Sequence, residues 1–486
     1  MNADLLKLEP IPVWKHFDAI NAIPRPSKKE GKMIAFVKSF GESLGLETMV
    51  DGTGNVVIRK PATKGMEDRK GVVLQGHLDM VCQKNNETVF DFDKDGIKTV
   101  IRGDWVHADG TTLGADNGIG VAAIMSILES TDISHPALEA LFTIDEETGM
   151  TGAFGLKPGF LQGDILLNLD TEEDSEIDIG CAGGMNVSAA KQFKTESISG
   201  KGISISIKGL QGGHSGVDID KGRGNANVLM TRFLFGGIRN LIRLVSIDAG
   251  GLRNAIPREA KVIALINNPD DYLKSASKLK SEILDEFKSI EKDLKIEVSV
   301  ADVKGSALSP SDSAQLIRAL NAAHNGVFRM SPDVPGLVES SNNIARVTLD
   351  NGWAEVLCLA RSSVESTKMS VANQLKASFE LAGMDVEFAG SYPGWQPDPN
   401  SQILSVMVKI YKEKFGESPN VIACHAGLEC GIIGADYPGM EMISFGPTIV
   451  GPHSPDEKVN IKSVQKFWSY LLSILKEIPK KDQDKV

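Results

Sequence analysis

An α/β fold with a mostly parallel sheet is what this chain predicts, and three observations carry that expectation. Short apolar strands alternate with helical segments through the first part of the sequence. One of them, GVVLQGHLDMV, opens with an unbroken apolar run, as a parallel strand covered on both faces does. Polar residues from distant segments (His77, Glu147, Asp170) fall at the C-terminal ends of predicted strands, the edge where open α/β sheets bind ligands.

Taken in order, residues 1–50 read as helical around a loop at IPRPSKKE. GVVLQGHLDMV, ALEALFTIDEE and GDILLNLD read as strands. DNGIGVAAIMSILES reads as a helix opening at Asp116 or Asn117, both good capping types. The character changes near residue 190, where KGISISIKGL alternates with period two, the mark of a strand with one wet face. Amphipathic helices follow over 225–242 and 271–291. KIEVSVADV, a helix at 311–323, the strands NIARVTL and AEVLCLARSS, and a helix at 367–382 then repeat the theme. SQILSVMVKIYKEKFG reads as a helix, MEMISFGP as a strand, and IKSVQKFWSYLLSILKEI as a closing amphipathic helix.

With 486 residues the chain exceeds one domain. The expected organisation is a catalytic domain at 1–190, with helices on both faces of its sheet, completed by 386–486. An inserted α+β lid domain occupies 191–385, and an alignment of NAIPREAKVIAL with NNIARVTL hints that it contains two similar halves.

Composition narrows the function. The net charge is −12 with no basic block, which argues against nucleic acid and anionic membrane as partners. No apolar run reaches the roughly 18–20 residues of a membrane helix. The start, MNADLLKLEPIPVW, lacks the basic and apolar regions of a signal peptide. An odd, sparse set of five cysteines (Cys82, Cys181, Cys358, Cys424 and Cys430) implies reduced thiols and a cytoplasmic setting. The tail KEIPKKDQDKV reads as frayed.

Five residues form a candidate metal set: His77 in GHLDM, Asp116 in LGADNG, Glu147 in IDEETG, Asp170 in LNLDTEED and His453 in GPHSPDE. Two imidazoles with three carboxylates suit Zn²⁺, Mn²⁺ or Co²⁺ better than Ca²⁺. A carboxylate can bridge, so five residues can hold two cations about 3.5–4 Å apart, the arrangement of two-metal hydrolases.

Asp79, two residues beyond His77, is placed to hold the imidazole by its second nitrogen; a satisfied polar pair at a strand end is the bland reading. Glu146 beside Glu147 suggests one general base and one ligand, against an exposed acidic turn. Asp116 has helix capping as its alternative. Only Asp170 is singled out of the run DTEED, which otherwise reads as a solvated loop. His425 and Glu429 in CHAGLECG are spaced to face one another on a helix, and His425 is a candidate substrate contact. His214, flanked by glycines in GLQGGHSGVD, could polarise a substrate carbonyl or be a turn residue. His16, His107, His135 and His324 have no such company.

Together GHLDMV, LGADNGIG, DEETGMTGA, NLDTEED, GGHSG, HAGLECG and GPHSPDE resemble the M20 family of metallopeptidases, most closely its aminoacyl-histidine dipeptidase (Xaa-His dipeptidase, peptidase D) branch, over nearly the whole chain. That resemblance implies His77 and Asp170 on one metal, Glu147 and His453 on the other, and Asp116 between them. It further implies Asp79 as the residue orienting His77, Glu146 as the base, and a cis peptide at Asp116–Asn117. In related two-domain members the corresponding histidine often comes from a partner subunit; the hypothesis here is that the long inserted domain lets His214 act in cis. Arg361 of CLARSSVES would hold the substrate carboxylate, for which its planar fork is suited, and Asn254 of GLRNAIP would contact substrate.

The expected protein is thus a cytoplasmic, metal-dependent dipeptidase acting on Xaa-His and other dipeptides. It would carry two divalent ions, zinc first and Mn or Co as substitutes, and act as a monomer or homodimer. A metal-bound hydroxide would be its nucleophile. An N-acyl amino acid deacylase, an aminotripeptidase and a catalytically silent ligand-binding protein are the alternatives; the intact ligand set and Glu146 argue against the last.

Overall fold

The computed structural model describes residues 2–481. The chain packs as two compact units, Met1–Gly180 with Pro397–Ala423 and Leu428–Val486, and Cys181–Gln396 with Cys424–Gly427. The division falls at 181 and 396, not at 191 and 385, because Gly183–Gln192 and Asp385–Tyr392 pair with one another as strands of the second unit's sheet.

The first unit is built on an eight-stranded sheet. From edge to edge its strands are Glu47–Val50, Val56–Lys60, Leu138–Thr143, Val72–His77, Ile165–Asn168, Glu441–Ser444, Glu176–Cys181 and Asn420–Cys424. The four central strands, Leu138–Thr143 through Glu441–Ser444, are parallel, and antiparallel pairings flank them on both sides. Val72–His77, Leu138–Thr143 and Ile165–Asn168 are buried at every position, so both faces are covered by helices. Helix Ala115–Glu129 is apolar all round and buried over nearly its whole length, as a helix inside a core must be.

A small second sheet joins Ile449–Val450, Lys458–Asn460, Trp105–Ala108 and Thr99–Arg102. Asp116 therefore follows a strand of this sheet and not of the large one. The pairing of Lys458–Asn460 with Trp105–Ala108 ties the segment after His453 to the segment before Asp116.

The second unit carries a nine-stranded antiparallel sheet. Its main path runs Lys295–Leu308, Thr195–Lys208, Ala260–Leu265, Arg243–Gly250, Val338–Asp350, Trp353–Ser362, Gly183–Gln192 and Asp385–Tyr392. Read outward from the middle, each side repeats one plan. The second strand of a β-α-β-β-α-β unit lies innermost, then its third, its first and its fourth. One copy is contiguous from Thr195 to Leu308. The other begins with Gly183–Gln192, is interrupted by the whole first copy, and resumes at helix Pro310–Ala322. The seam is the antiparallel pairing of Arg243–Gly250 with Val338–Asp350. NAIPREAKVIAL contains the third strand of one copy and NNIARVTL the second strand of the other, so the alignment that hinted at the repeat paired unlike elements.

The polar tail is tied down as far as Lys481. Lys70 N–H donates to the Pro479 carbonyl and Lys481 N–H to that of Asp68, each at 2.9 Å. The rest of the segment expected to fray lies outside the described residues. Among the described residues no helix is long and apolar enough to cross a membrane.

Candidate functional site

The central parallel strands end together, and their first loop residues converge. His77 is the last residue of its strand. Leu138–Thr143 runs into a turn at Asp145, whose positive φ of 52° redirects the chain into the short helix Glu146–Gly149. That turn lets the adjacent Glu146 and Glu147 serve one site, which extended backbone would forbid. Asp170 follows Ile165–Asn168 by two residues. His453, with φ 60°, comes from the turn between the short strands Ile449–Val450 and Lys458–Asn460.

Asp116 stands between the two imidazoles. Its Oδ1 is 3.0 Å from His77 Nε2 and its Oδ2 is 3.3 Å from His453 Nε2. Asp170 Oδ1 is 3.4 Å from His77 Nε2, and Glu147 Oε2 is 3.0 Å from His453 Nε2. Three overlapping groups could each hold a cation: His77, Asp116 and Asp170; Asp116, Glu147 and His453; and His77, Glu146 and Glu147. Glu147 Oε1 and Asp170 Oδ1 are buried without a hydrogen-bond partner. A buried carboxylate oxygen left in that state is costly unless a cation meets it. The donor set and its orphaned oxygens therefore fit a pair of divalent metals.

The electrostatics are those of a carboxylate cluster waiting for positive charge. Burial opposes ionisation of His77, but Asp170, Asp116 and Asp79 outweigh it and raise the imidazole's pKa well above its ordinary value. Asp116 and Glu147 bond His453 and push it up to about 11. Burial, with Asp170, Glu429 and Glu147 adding, raises Glu146 well above the carboxylate range.

Asp79 lies below His77, with Oδ1 3.4 Å from Nδ1. Against burial, His77 and the Ser27 hydroxyl hold it down at about 2. Its carboxylate also accepts the Glu146 N–H at 3.0 Å and the Glu147 N–H at 3.2 Å, and its carbonyl oxygen bonds His77 Nδ1 at 3.2 Å, so one residue fixes both the imidazole and the turn that carries the two glutamates.

Sequence reasoning expected Asp116 or Asn117 to cap the following helix. Neither does so; both depart from helical dihedrals, and the peptide bond between them is cis, as the resemblance implied. The capping carboxylate is Glu457. It accepts the N–H groups of Leu113, Gly114, Ala115 and Asp116 at 2.7, 3.0, 2.7 and 3.3 Å. Asn117 Nδ2 instead bonds the Leu169 carbonyl at 2.6 Å, beside Asp170. Arg25, read only as part of a loop, is fully buried and donates to the carbonyls of Asp79 at 2.9 Å and Gly114 at 2.6 Å, joining the segment after His77 to the segment before Asp116. No local signal in the sequence marks either residue as a support, because their partners lie far away along the chain.

The expected helical pairing of His425 with Glu429 is absent, since the helix begins only at Glu429. Glu429 belongs to the first unit. There it accepts Gln75 Nε2 and the Thr143 hydroxyl at 2.6 Å each, and burial raises its carboxyl to about 8. Asp174, further along the DTEED run, is engaged by Lys466 at 2.7 Å.

Within the second unit, His214, Arg361 and His425 do come together. His214 Nδ1 accepts the N–H groups of Gly216 and Val217, both at 3.2 Å, which assigns the ring proton to Nε2. That Nε2 stands 3.4 Å from Arg361 Nη2, so two donors converge as they would on one shared oxygen. Arg361 is steadied by the Tyr392 hydroxyl at 2.9 Å. His425 Nε2 bonds Ser341 Oγ at 2.8 Å, and burial together with the charge of Arg361 lowers its pKa to about 3, so it is neutral. Asn254 is exposed, and its carbonyl accepts the Ser215 N–H at 2.8 Å, tying its loop to the His214 turn.

Comparison with known proteins agrees with this geometry. Over its whole length the chain is similar to the cytosol non-specific dipeptidase of Escherichia coli, at 46% identity across 99% of this chain and 100% of that one. It is similar in structure to the aminoacylhistidine dipeptidase of Vibrio alginolyticus, with a TM-score of 0.94 and 45% identity over 99% of each chain. Aminopeptidase PepT of Bacillus cereus, with a TM-score of 0.57 and 16% identity over 97% of this chain and 99% of that one, shares the fold. Residues 73–477 match the family described as Peptidase family M20/M25/M40, and the chain belongs to that family.

Proposed function

We propose that the protein is a cytoplasmic metal-dependent dipeptidase that hydrolyses Xaa-His and other dipeptides. The observation that carries this reading is Asp116, one oxygen toward each imidazole, flanked by buried oxygens of Asp170 and Glu147 that take no hydrogen bond. Whole-chain likeness to two dipeptidases supports it.

His77 and Asp170 would hold one divalent cation, Glu147 and His453 the other, and Asp116 both, with zinc favoured by the ligand set and Mn or Co able to replace it. Bound there, two such ions supply Lewis acidity to a substrate carbonyl and make a nearby water more acidic. Glu146 takes the proton of the attacking water on its carboxylate and returns it to the leaving amine. Asp79 keeps His77 in one ring orientation. The N–H donors of His214 and Arg361 bind substrate oxygen, Arg361 taking the terminal carboxylate, with His425 and Asn254 completing that surface.

Release of products from metal-reconstituted protein tests the reading. β-Ala-His, Gly-His and Ala-Ala are expected to be cleaved, with a chelator stopping the reaction and added zinc restoring it. Cleavage of N-acetyl-His would move the function to a deacylase, cleavage of Leu-Gly-Gly alone to an aminotripeptidase, and no cleavage to a silent binder.

Arg361→Ala is expected to raise KM for dipeptides with little effect on kcat, by roughly 10- to 100-fold for a lost charge-assisted pair. His214→Ala is expected to lower kcat by about 100-fold or more if its donor meets developing charge. Steady-state kinetics decide each, and wild-type kcat/KM in either variant would remove that residue from the site.

A further inference from the structure

No motif marks Tyr392, yet the sheet of the second unit builds it against Arg361. Gly184 is paired on one side with Arg361 and on the other with Tyr392. Residues directly opposite one another point to the same face of a sheet, so the three stand in one row. The middle one has no side chain, and the outer two meet across it, Arg361 Nη1 donating to the Tyr392 hydroxyl oxygen at 2.9 Å. A Cβ at 184 would come within 2.6 Å of the Tyr392 ring and hydroxyl. The Tyr392 carbonyl is held in turn by the fully buried Lys368, whose Nζ donates to it at 2.7 Å. Ser341, paired with Arg361 on its other side, extends the row and bonds His425.

This arrangement leaves the hydroxyl with a proton to give. Burial raises the phenol above its ordinary pKa, so the proton stays on the oxygen. It cannot be given to Arg361, which only donates. Among the described residues no acceptor receives it. Beyond Tyr392, the Arg361 nitrogens reach Ser215 Oγ at 3.4 and 3.5 Å and the donor His214 Nε2 at 3.4 Å. Burial and the Arg361 charge hold His214 and His425 below their ordinary values. Arg361 is therefore the one formal charge among these side chains, and the donors beside it lack acceptors. A carboxylate, with one negative charge and about four lone-pair sites, matches both features.

We propose that the Tyr392 hydroxyl donates to the substrate's terminal carboxylate beside Arg361 and helps to confine cleavage to peptides that end at that carboxylate. This rests on the dipeptidase reading above. A C-terminal amide in its place brings no charge to Arg361 and offers fewer acceptor sites, leaving a donor unmatched.

The test compares a phosphinic Ala-Ala mimic with its C-terminal carboxamide by calorimetry on metal-loaded protein, beside hydrolysis of Ala-Ala and its amide. Wild type is expected to favour the carboxylate by roughly 100-fold or more. Tyr392→Phe keeps the ring beside Gly184 and should lower that ratio about 10-fold, with the thermal midpoint unchanged. A residue that only steadied Arg361 would lose its influence with that side chain, whereas a direct donor keeps part of it. Tyr392→Phe added to Arg361→Ala should therefore lower the remaining ratio by a further ~3-fold. An undiminished ratio in Tyr392→Phe overturns the assignment, as does a double variant that matches Arg361→Ala. A wild type that cleaves dipeptides but binds both compounds equally overturns it too. A wild type that binds neither and cleaves no dipeptide refutes the dipeptidase reading itself, and the proposal with it.

Discussion

Glu146→Gln is expected to lower kcat by about 10³-fold, within the range general bases contribute, while the protein still takes up its full complement of metal. The amide has the size of the acid but cannot accept a proton from water. Glu146 is also the replaceable member of its group: Asp116 separately links the His77–Asp170 and Glu147–His453 pairs. Its backbone N–H, not its side chain, bonds Asp79, so the substitution leaves the turn intact. Metal content by plasma mass spectrometry and single-turnover kinetics would be measured together. Wild-type turnover would refute the base assignment, and lost metal would turn Glu146 into a ligand.

The second large effect is expected at Glu457, which never touches the candidate ligands with its own side chain except through the backbone it holds. Glu457→Ala would strand four buried N–H donors at Leu113–Asp116. Each unsatisfied buried donor costs on the order of 1–3 kcal/mol, so a loss of about 3–5 kcal/mol is expected after relaxation and water entry. The same change frees the loop that aims Asp116, and metal affinity should fall by roughly 10- to 100-fold, as when a ligand's supporting partner is removed. Glu457→Gln, which keeps an acceptor, should lie between. Denaturant melts and competitive metal titration would read both effects, and an Ala variant as stable and as tightly loaded as wild type would show that the cap is dispensable.

Much of this site was legible before any coordinates, for a physical reason. The candidate ligands are residue types with few ordinary reasons to lie buried together, and three of them fall at strand ends, so residue type and local period converge on His77, Glu147 and Asp170. Supporting residues obey no such rule. Arg25 acts on carbonyls of residues 78, 79 and 114, and Glu457 on amides more than three hundred positions away in sequence. Both were hidden because their partners are backbone atoms, which leave no trace in residue identity. Helix capping at Asp116 was misread for the related reason that a local rule was overridden by a distant carboxylate. The repeat in the second unit was visible only as a weak hint, because one copy interrupts the other and the sheet order cannot be read along the chain.

The seam between Arg243–Gly250 and Val338–Asp350 has one more consequence. A solitary copy of that unit would expose the backbone of its innermost strand, an edge that invites pairing with another molecule. Here the complementary edge is supplied by the same polypeptide, at an effective concentration set by covalent connection. Pairing at this seam is therefore unimolecular, and dilution, which dissolves an association between separate chains by mass action, leaves it intact.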